Sequence, residues 1–160
     1  MNKVVIADAG PLIAFARLHR LDLLPQIFGQ VQVTDIVLGE CAGRPDFSES
    51  PLILEAVAAK YLELCTPPDF SAYVQEIDAG EASAIAMAIE CGCGVLMDDK
   101  AGRRMATHLC IPVIGTVGAL LLAKRKGLVR LVQPLLEHLS ASGYFLCEVV
   151  ISAALTASGE

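Results

Sequence analysis

This sequence predicts an α/β fold built around a parallel sheet, on three observations. Short oily runs recur along the chain and alternate with segments of helical periodicity, which is the βαβ rhythm of a parallel sheet. The runs are apolar on consecutive residues, as in "VVIA" at 4–7 and "GVLM" at 94–97, and so suit strands buried on both faces. Two of them end in acid just before a helix, Asp8 in one and Asp98–Asp99 in the other. That is the carboxyl end, where open parallel sheets bind their ligands.

In chain order, the first strand is read at Val4 to Ala7 and is followed by helical patterns at Pro11 to Leu18 and Leu21 to Phe28. A short strand is expected at Val31 to Thr34, helices from there to residue 60, and a further strand at Leu62 to Thr66. "DAGE" at 78–81 resembles a capping box and opens a helix from Gly80 to Cys91. A strand at Gly94 to Met97 and a helix at Lys100 to Leu109 come next, and "IPVIG" at 111–115 is the last strand. Helices are expected at Val117 to Lys126, with Gly127 ending it, and at Leu131 to Ser140. An apolar helical tail begins at about 145, and "GRPDFSESP" at 43–51 reads as a polar loop.

The 160 residues fit one domain with a substantial core. A composition 54% hydrophobic and 19% charged excludes disorder and leaves apolar surface for a partner. The opening "MNKVVIADAG" has too short an apolar run for a signal peptide, so a cytoplasmic protein is expected. Met105 to Ala123 lacks charge but holds His108, Pro112, Gly115 and Gly118, which argues against a membrane span. The six cysteines are read as reduced core thiols, since the one close pair, "CGC" at 91–93, has no second pair or nearby histidine to make a zinc site.

Each acid has two readings. Asp8 is either the N-cap of the helix it precedes or a ligand. With Asp98 and Asp99, one can cap, but two adjacent carboxylates are tolerated best where a cation binds. Glu40 lies three and four residues from Val37 and Ile36, on their apolar side, where a carboxylate must be paired or metal-bound. Glu81 serves either the capping box or an acidic site at the sheet edge.

The succession "VIADAGPLIAFARL", Glu40, "DAGEASAIAMAIECGCGVLMDDKAGRRMA" and "IPVIGTVGALLLAKRKGLV" resembles PIN-domain proteins, above all the VapC-like group and a subgroup opening with "DAGPLI". The resemblance implies a three-layer α/β/α sandwich with a central parallel sheet, and an acidic centre that binds Mg2+ or Mn2+ and cleaves single-stranded RNA. It assigns catalytic and metal-binding roles to Asp8, Glu40, Glu81 and Asp99, and places Asp98 where relatives carry asparagine. Many relatives follow the first aspartate with Thr-Ser; here Ala9 and Gly10 stand there, and Thr116 is the candidate replacement hydroxyl.

Hard cations choose oxygen ligands, and one or two of them on four carboxylates would bind a phosphodiester and activate water. The net charge of −6 is compatible with an RNA substrate because the site's acids are offset by metal. Lys100, Arg103, Arg104 and Thr116 are candidate phosphate contacts; the three cations are otherwise solvated helix charge. Lys124 to Lys126 read as cations at a helix C-terminus. The resemblance further implies the toxin of a toxin–antitoxin pair, and the apolar tail predicts a homodimer or an antitoxin contact. Rival readings are a noncatalytic PIN-fold scaffold and phosphoacceptor chemistry at Asp8 or Asp99 beside Lys100.

Overall fold

The computed structural model describes residues 3–43 and 46–160. The chain begins with β1 (Val4–Ala7), α1 (Ala9–Arg17), α2 (Leu23–Phe28), β2 (Gln30–Thr34) and α3 (Asp35–Ala42). It continues through α4 (Glu49–Ala58), β3 (Glu63–Cys65), α5 (Ala79–Cys91), β4 (Gly94–Leu96) and α6 (Lys100–His108). It ends with β5 (Val113–Ile114), α7 (Thr116–Arg125), α8 (Gln133–Ala141) and α9 (Glu148–Ser158).

The strands form one all-parallel sheet in the order β3-β2-β1-β4-β5. In the centre, Val5 pairs with Val31 and Gly94, and Ile6 with Gln32 and Val95. Because side chains alternate across a strand, each continuous apolar run is divided between two cores. Val5, Ala7, Val31, Val33 and Leu96 pack with α1–α4 and α7–α9 on one face. Ile6, Val95 and Met97 pack with α5 and α6 on the other. This is the three-layer sandwich expected, with helices covering both faces of a parallel sheet.

Every expected element forms, and the shifts at its ends have local causes. Thr34 caps α3, accepting from the Val37 amide at 3.1 Å, so the helix starts at Asp35. Pro134 in the first turn of α8 has no N–H to leave unpaired, which suits a start at Gln133 rather than Leu131. The tail helix starts at Glu148, three residues after the expected 145, and Phe145 before it is 87% exposed. Gly127 takes φ +75°, the left-handed conformation expected of the residue ending α7. Part of the 43–51 loop, residues 44 and 45, lies outside the described residues, and α4 claims its last three positions.

Of the six thiols, all free, only Cys41 is buried, while Cys91, Cys110 and Cys147 are exposed. The core reading therefore fails for most of them: Cys147 stands before α9, and Cys110 sits in a turn at φ +59°. The uncharged stretch at 105–123 is divided among α6, β5 and α7, and no helix among the described residues is long and apolar enough to cross a membrane.

The C-terminal end is held by the Glu160 side chain and by Lys124, whose Nζ also donates to Ser158 O at 2.8 Å. Glu160 accepts from the Val132 and Gln133 amides at 2.9 and 3.0 Å and meets Lys124 Nζ at 2.9 Å, capping the start of α8 from outside the helix.

Candidate functional site

Strand order reverses direction around β1: β2 and β3 lie on one side, β4 and β5 on the other. The edge beyond the carboxyl ends of β1 and β4 is thus the switch point, the place where ligands of such sheets bind. The Asp8 amide donates to Leu96 O at 2.9 Å, which locks the first acid against the end of β4.

Asp8 occupies the N-cap position of α1 in extended backbone, yet its side chain caps nothing. It is only 6% exposed, and Oδ1 has no hydrogen-bond partner. Burial pushes its carboxyl up to about 7 against the pull of the Ala9 amide, and the charges of Asp78, Glu40 and Asp98 push it the same way. A buried carboxylate oxygen with no donor is a large desolvation cost that a cation would offset.

Glu81 is 5% exposed and serves its helix and the cluster together. Its Oε2 accepts from the Asp78 amide at 3.3 Å, and Asp78 Oδ1 accepts from the Glu81 amide at 2.8 Å, completing the capping box. Burial, then the charges of Asp78, Asp8 and Asp99, raise its carboxyl to about 8. Glu40 reaches from α3 to α5, accepting from the Gly80 amide at 3.0 Å. A β-carbon on residue 80 would overlap that carboxylate, so glycine is what lets α5 come this close. Gly80→Ala is expected to leave the melting temperature within a few degrees, because only a side-chain tip must move. Divalent-cation affinity should fall roughly tenfold, as when a ligand's support is lost, and Mn2+ titration checks it. Thr34 Oγ1 and Ser83 Oγ, 2.7 Å apart and buried, brace the same junction between β2 and α5.

The two aspartates after β4 divide their work. Asp99 Oδ2 accepts from the Ala101 and Gly102 amides at 2.9 and 3.2 Å and so caps α6, while its charge also raises Glu81. Asp98 takes three donors: the Thr116 amide at 2.7 Å, the Thr116 hydroxyl at 2.5 Å and the Tyr144 phenol. Its charge also reaches Asp8. Burial first, then the Asp98 charge, raise the Tyr144 phenol, which stays a protonated donor.

The candidate phosphate contacts separate. Lys100 and Arg104 are exposed on α6. Arg103 is half-buried and donates from a guanidinium nitrogen to Met97 O at 2.9 Å. Thr116 is 1% exposed, with its hydroxyl directed to Asp98 rather than outward.

Asp8, Glu40, Glu81, Asp98 and Asp99 are thus linked, by hydrogen bonds or by mutual charge, around the ends of β1 and β4. Among the described residues no three Asp, Glu, His or Cys side chains are already drawn into one ligand set. The donor set is nonetheless all oxygen, includes one unpartnered buried oxygen, and holds two carboxyls near neutral pKa, which fits a hard divalent cation. Two members were not singled out from sequence as part of this centre. Asp78 was read only as a cap, although its position three residues before Glu81 was a usable signal; Tyr144, 46 residues from Asp98, had none.

A parallel five-stranded sheet flanked by helices, with acids gathered over its switch point, is an α/β fold of the PIN type. The family model DUF3368: PIN domain matches residues 4–160, and the chain belongs to that family. PIN domains are generally nucleases and typically use divalent metals. No curated protein and no solved structure matches the chain.

Proposed function

We propose that the protein is a metal-dependent endoribonuclease that hydrolyses phosphodiester bonds of single-stranded RNA. The observation that carries this reading is Asp8: a buried carboxylate, one oxygen unpaired, facing the charges of Asp78, Glu40 and Asp98 at the switch point of a parallel sheet. Asp8, Glu40, Glu81 and Asp99 would hold Mg2+ or Mn2+, with Asp98 beside them. The ion supplies Lewis-acid polarisation of the phosphoryl group and a water acidic enough to attack at neutral pH.

The chain's own part is to bind and orient. Asp8 and Glu81 release protons as they become ligands, so metal affinity rises with pH. Lys100 and Arg104, exposed just after the acids, would draw the phosphate backbone toward a chain whose net charge is −6. Arg103, tied to Met97 O, supports the β4–α6 turn that carries Asp98 and Asp99. The test is cleavage of a panel of structured and unstructured RNAs with Mg2+ or Mn2+, in parent protein and Asp8→Asn. Cleavage that persists in excess chelator, or that is absent from the parent, overturns the reading in favour of a noncatalytic binding module.

A toxin role with a cognate antitoxin, and self-association as a homodimer, belong to the same proposal. They are supported by exposed apolar side chains around the tail: Phe145 at 87%, Val149 at 74% and Val150 at 44%. Sedimentation is expected to show an assembly that Val149→Asp disrupts. A monomer that binds no protein encoded beside it would remove this part.

A further inference from the structure

We propose that Tyr144 is a positioning residue for the acidic centre: from the segment between α8 and α9, its hydroxyl fixes the orientation of the Asp98 carboxylate at the end of β4. The inference rests on the metal-centre reading and adds a residue to it.

The geometry is specific. Asp98 Oδ1 accepts from the Thr116 amide at 2.7 Å, and Oδ2 accepts from the Thr116 hydroxyl at 2.5 Å and from the Tyr144 phenol. Thr116 alone, using two atoms of one residue, would hold the carboxylate against the start of α7. The phenol arrives from another part of the chain and closes the third side. Three donors on one carboxylate leave it a single orientation, and charge-assisted bonds of this kind are the strong ones.

Gly10 lies next to the phenol. A β-carbon on residue 10 would lie 3.6 Å from Tyr144 Oη and 3.8 Å from both Asp98 Cβ and Oδ2. These are ordinary contact distances, so a small side chain at position 10 would fit beside the phenol, and a hydroxyl on it, two residues after Asp8, would come within reach of the same Asp98 oxygen. The chain reaches the same spot from its other end. That placement is secured on both sides of Tyr144. Its amide donates to Leu139 O at 3.0 Å to close α8, and Glu160 ties the end of the tail to the start of α8. The C-terminal segment thus reaches the acidic centre through one side chain.

The experiment is calorimetric titration of the full chain with Mn2+, alongside metal-free melting temperatures. Four proteins are compared: parent, Tyr144→Phe, Gly10→Val, and the double variant Tyr144→Phe/Gly10→Ser. Tyr144→Phe is expected to weaken Mn2+ binding by roughly tenfold, the scale on which lost support of a ligand acts. Gly10→Val, which crowds the phenol without removing it, should give a loss in the same direction. The double variant, which returns a hydroxyl from α1, should recover much of the affinity. A purely structural tyrosine predicts instead a lower metal-free melting temperature, unchanged Mn2+ affinity of the folded protein, and no rescue by Ser at position 10. Affinity unchanged in both single variants, or a double variant no better than Tyr144→Phe, overturns the proposal while the metal centre stands. A parent protein that takes up no Mn2+ removes the metal centre itself, and this role with it.

Discussion

Asp8→Asn and Asp99→Asn are each expected to slow Mg2+-dependent RNA cleavage by roughly a hundredfold or more, at or beyond the upper end of what lost support of a metal site does. Asparagine keeps the shape of the side chain and removes its charge. At position 8 no cap is lost, because the Asp8 side chain caps nothing. At position 99 the amide oxygen can still accept from Ala101 and Gly102, and asparagine is as good an N-cap as aspartate, so α6 is kept while the charge is deleted. Asp98→Asn should be milder, roughly tenfold or less. The asparagine oxygen can keep the Thr116 amide, and the Thr116 and Tyr144 hydroxyls can turn to accept from its NH2. Cleavage rates measured beside melting curves test the order. If Asp98→Asn proves as damaging as Asp8→Asn, Asp98 is a principal ligand rather than a neighbour.

The second expected result is a stability that falls with pH in chelator and is restored by metal. The Asp8 carboxyl is raised from 3.8 to about 7, and that of Glu81 from 4.5 to about 8. Between those values the folded protein holds protons that the unfolded chain has released. Stability is therefore greatest at and below the unfolded values, and is lost as pH rises through the folded ones. Each group contributes a slope of at most about −1.4 kcal/mol per pH unit, so thermal melts in chelator from pH 5.5 to 8.5 should show a clear decline that levels off above pH 8. A divalent cation would bind the ionised carboxylates and release their protons, so its stabilisation should be larger at pH 8.5 than at pH 5.5. At a hundred times the dissociation constant it amounts to about 2.7 kcal/mol. Asp8→Asn should flatten the chelator curve and raise metal-free stability at pH 8.5, since it leaves no charge there to desolvate. A flat curve in the parent protein would mean that Asp8 and Glu81 ionise freely in the fold, against their burial.

Local chemistry was legible wherever it acts over a few residues. The five strands and their helices could be read because apolar runs and helical periodicity are one-dimensional signals, and the "DAGE" capping box because its two hydrogen bonds join residues three apart. The strand-end positions of Asp8, Asp98 and Asp99 followed from the strands themselves. Even Glu40 could be placed on the inner side of its helix, since Ile36 and Val37 lie one turn before it on the same short helix.

Only the tertiary structure decided what each acid does there. Whether Asp8 caps or stays unpaired depends on how β1 and α1 meet β4, through a bond from its amide to Leu96. Glu40 acquires its partner from Gly80, 40 residues away, and Asp98 is held by Thr116 at a separation of 18 and by Tyr144 at 46. Such contacts leave no periodic trace, because a single hydrogen bond between distant segments constrains one residue at each end and nothing around it. Burial worked the same way. Cysteines are common in cores, yet Cys110 and Cys147 are outside because a turn and a helix start fall where they stand. The carboxyls of Asp8 and Glu81 are raised because the packed fold buries them beside other carboxylates. Sequence determined which groups arrive at the carboxyl edge; the packing of the layers determined how far each is removed from water, and so how far its carboxyl is raised.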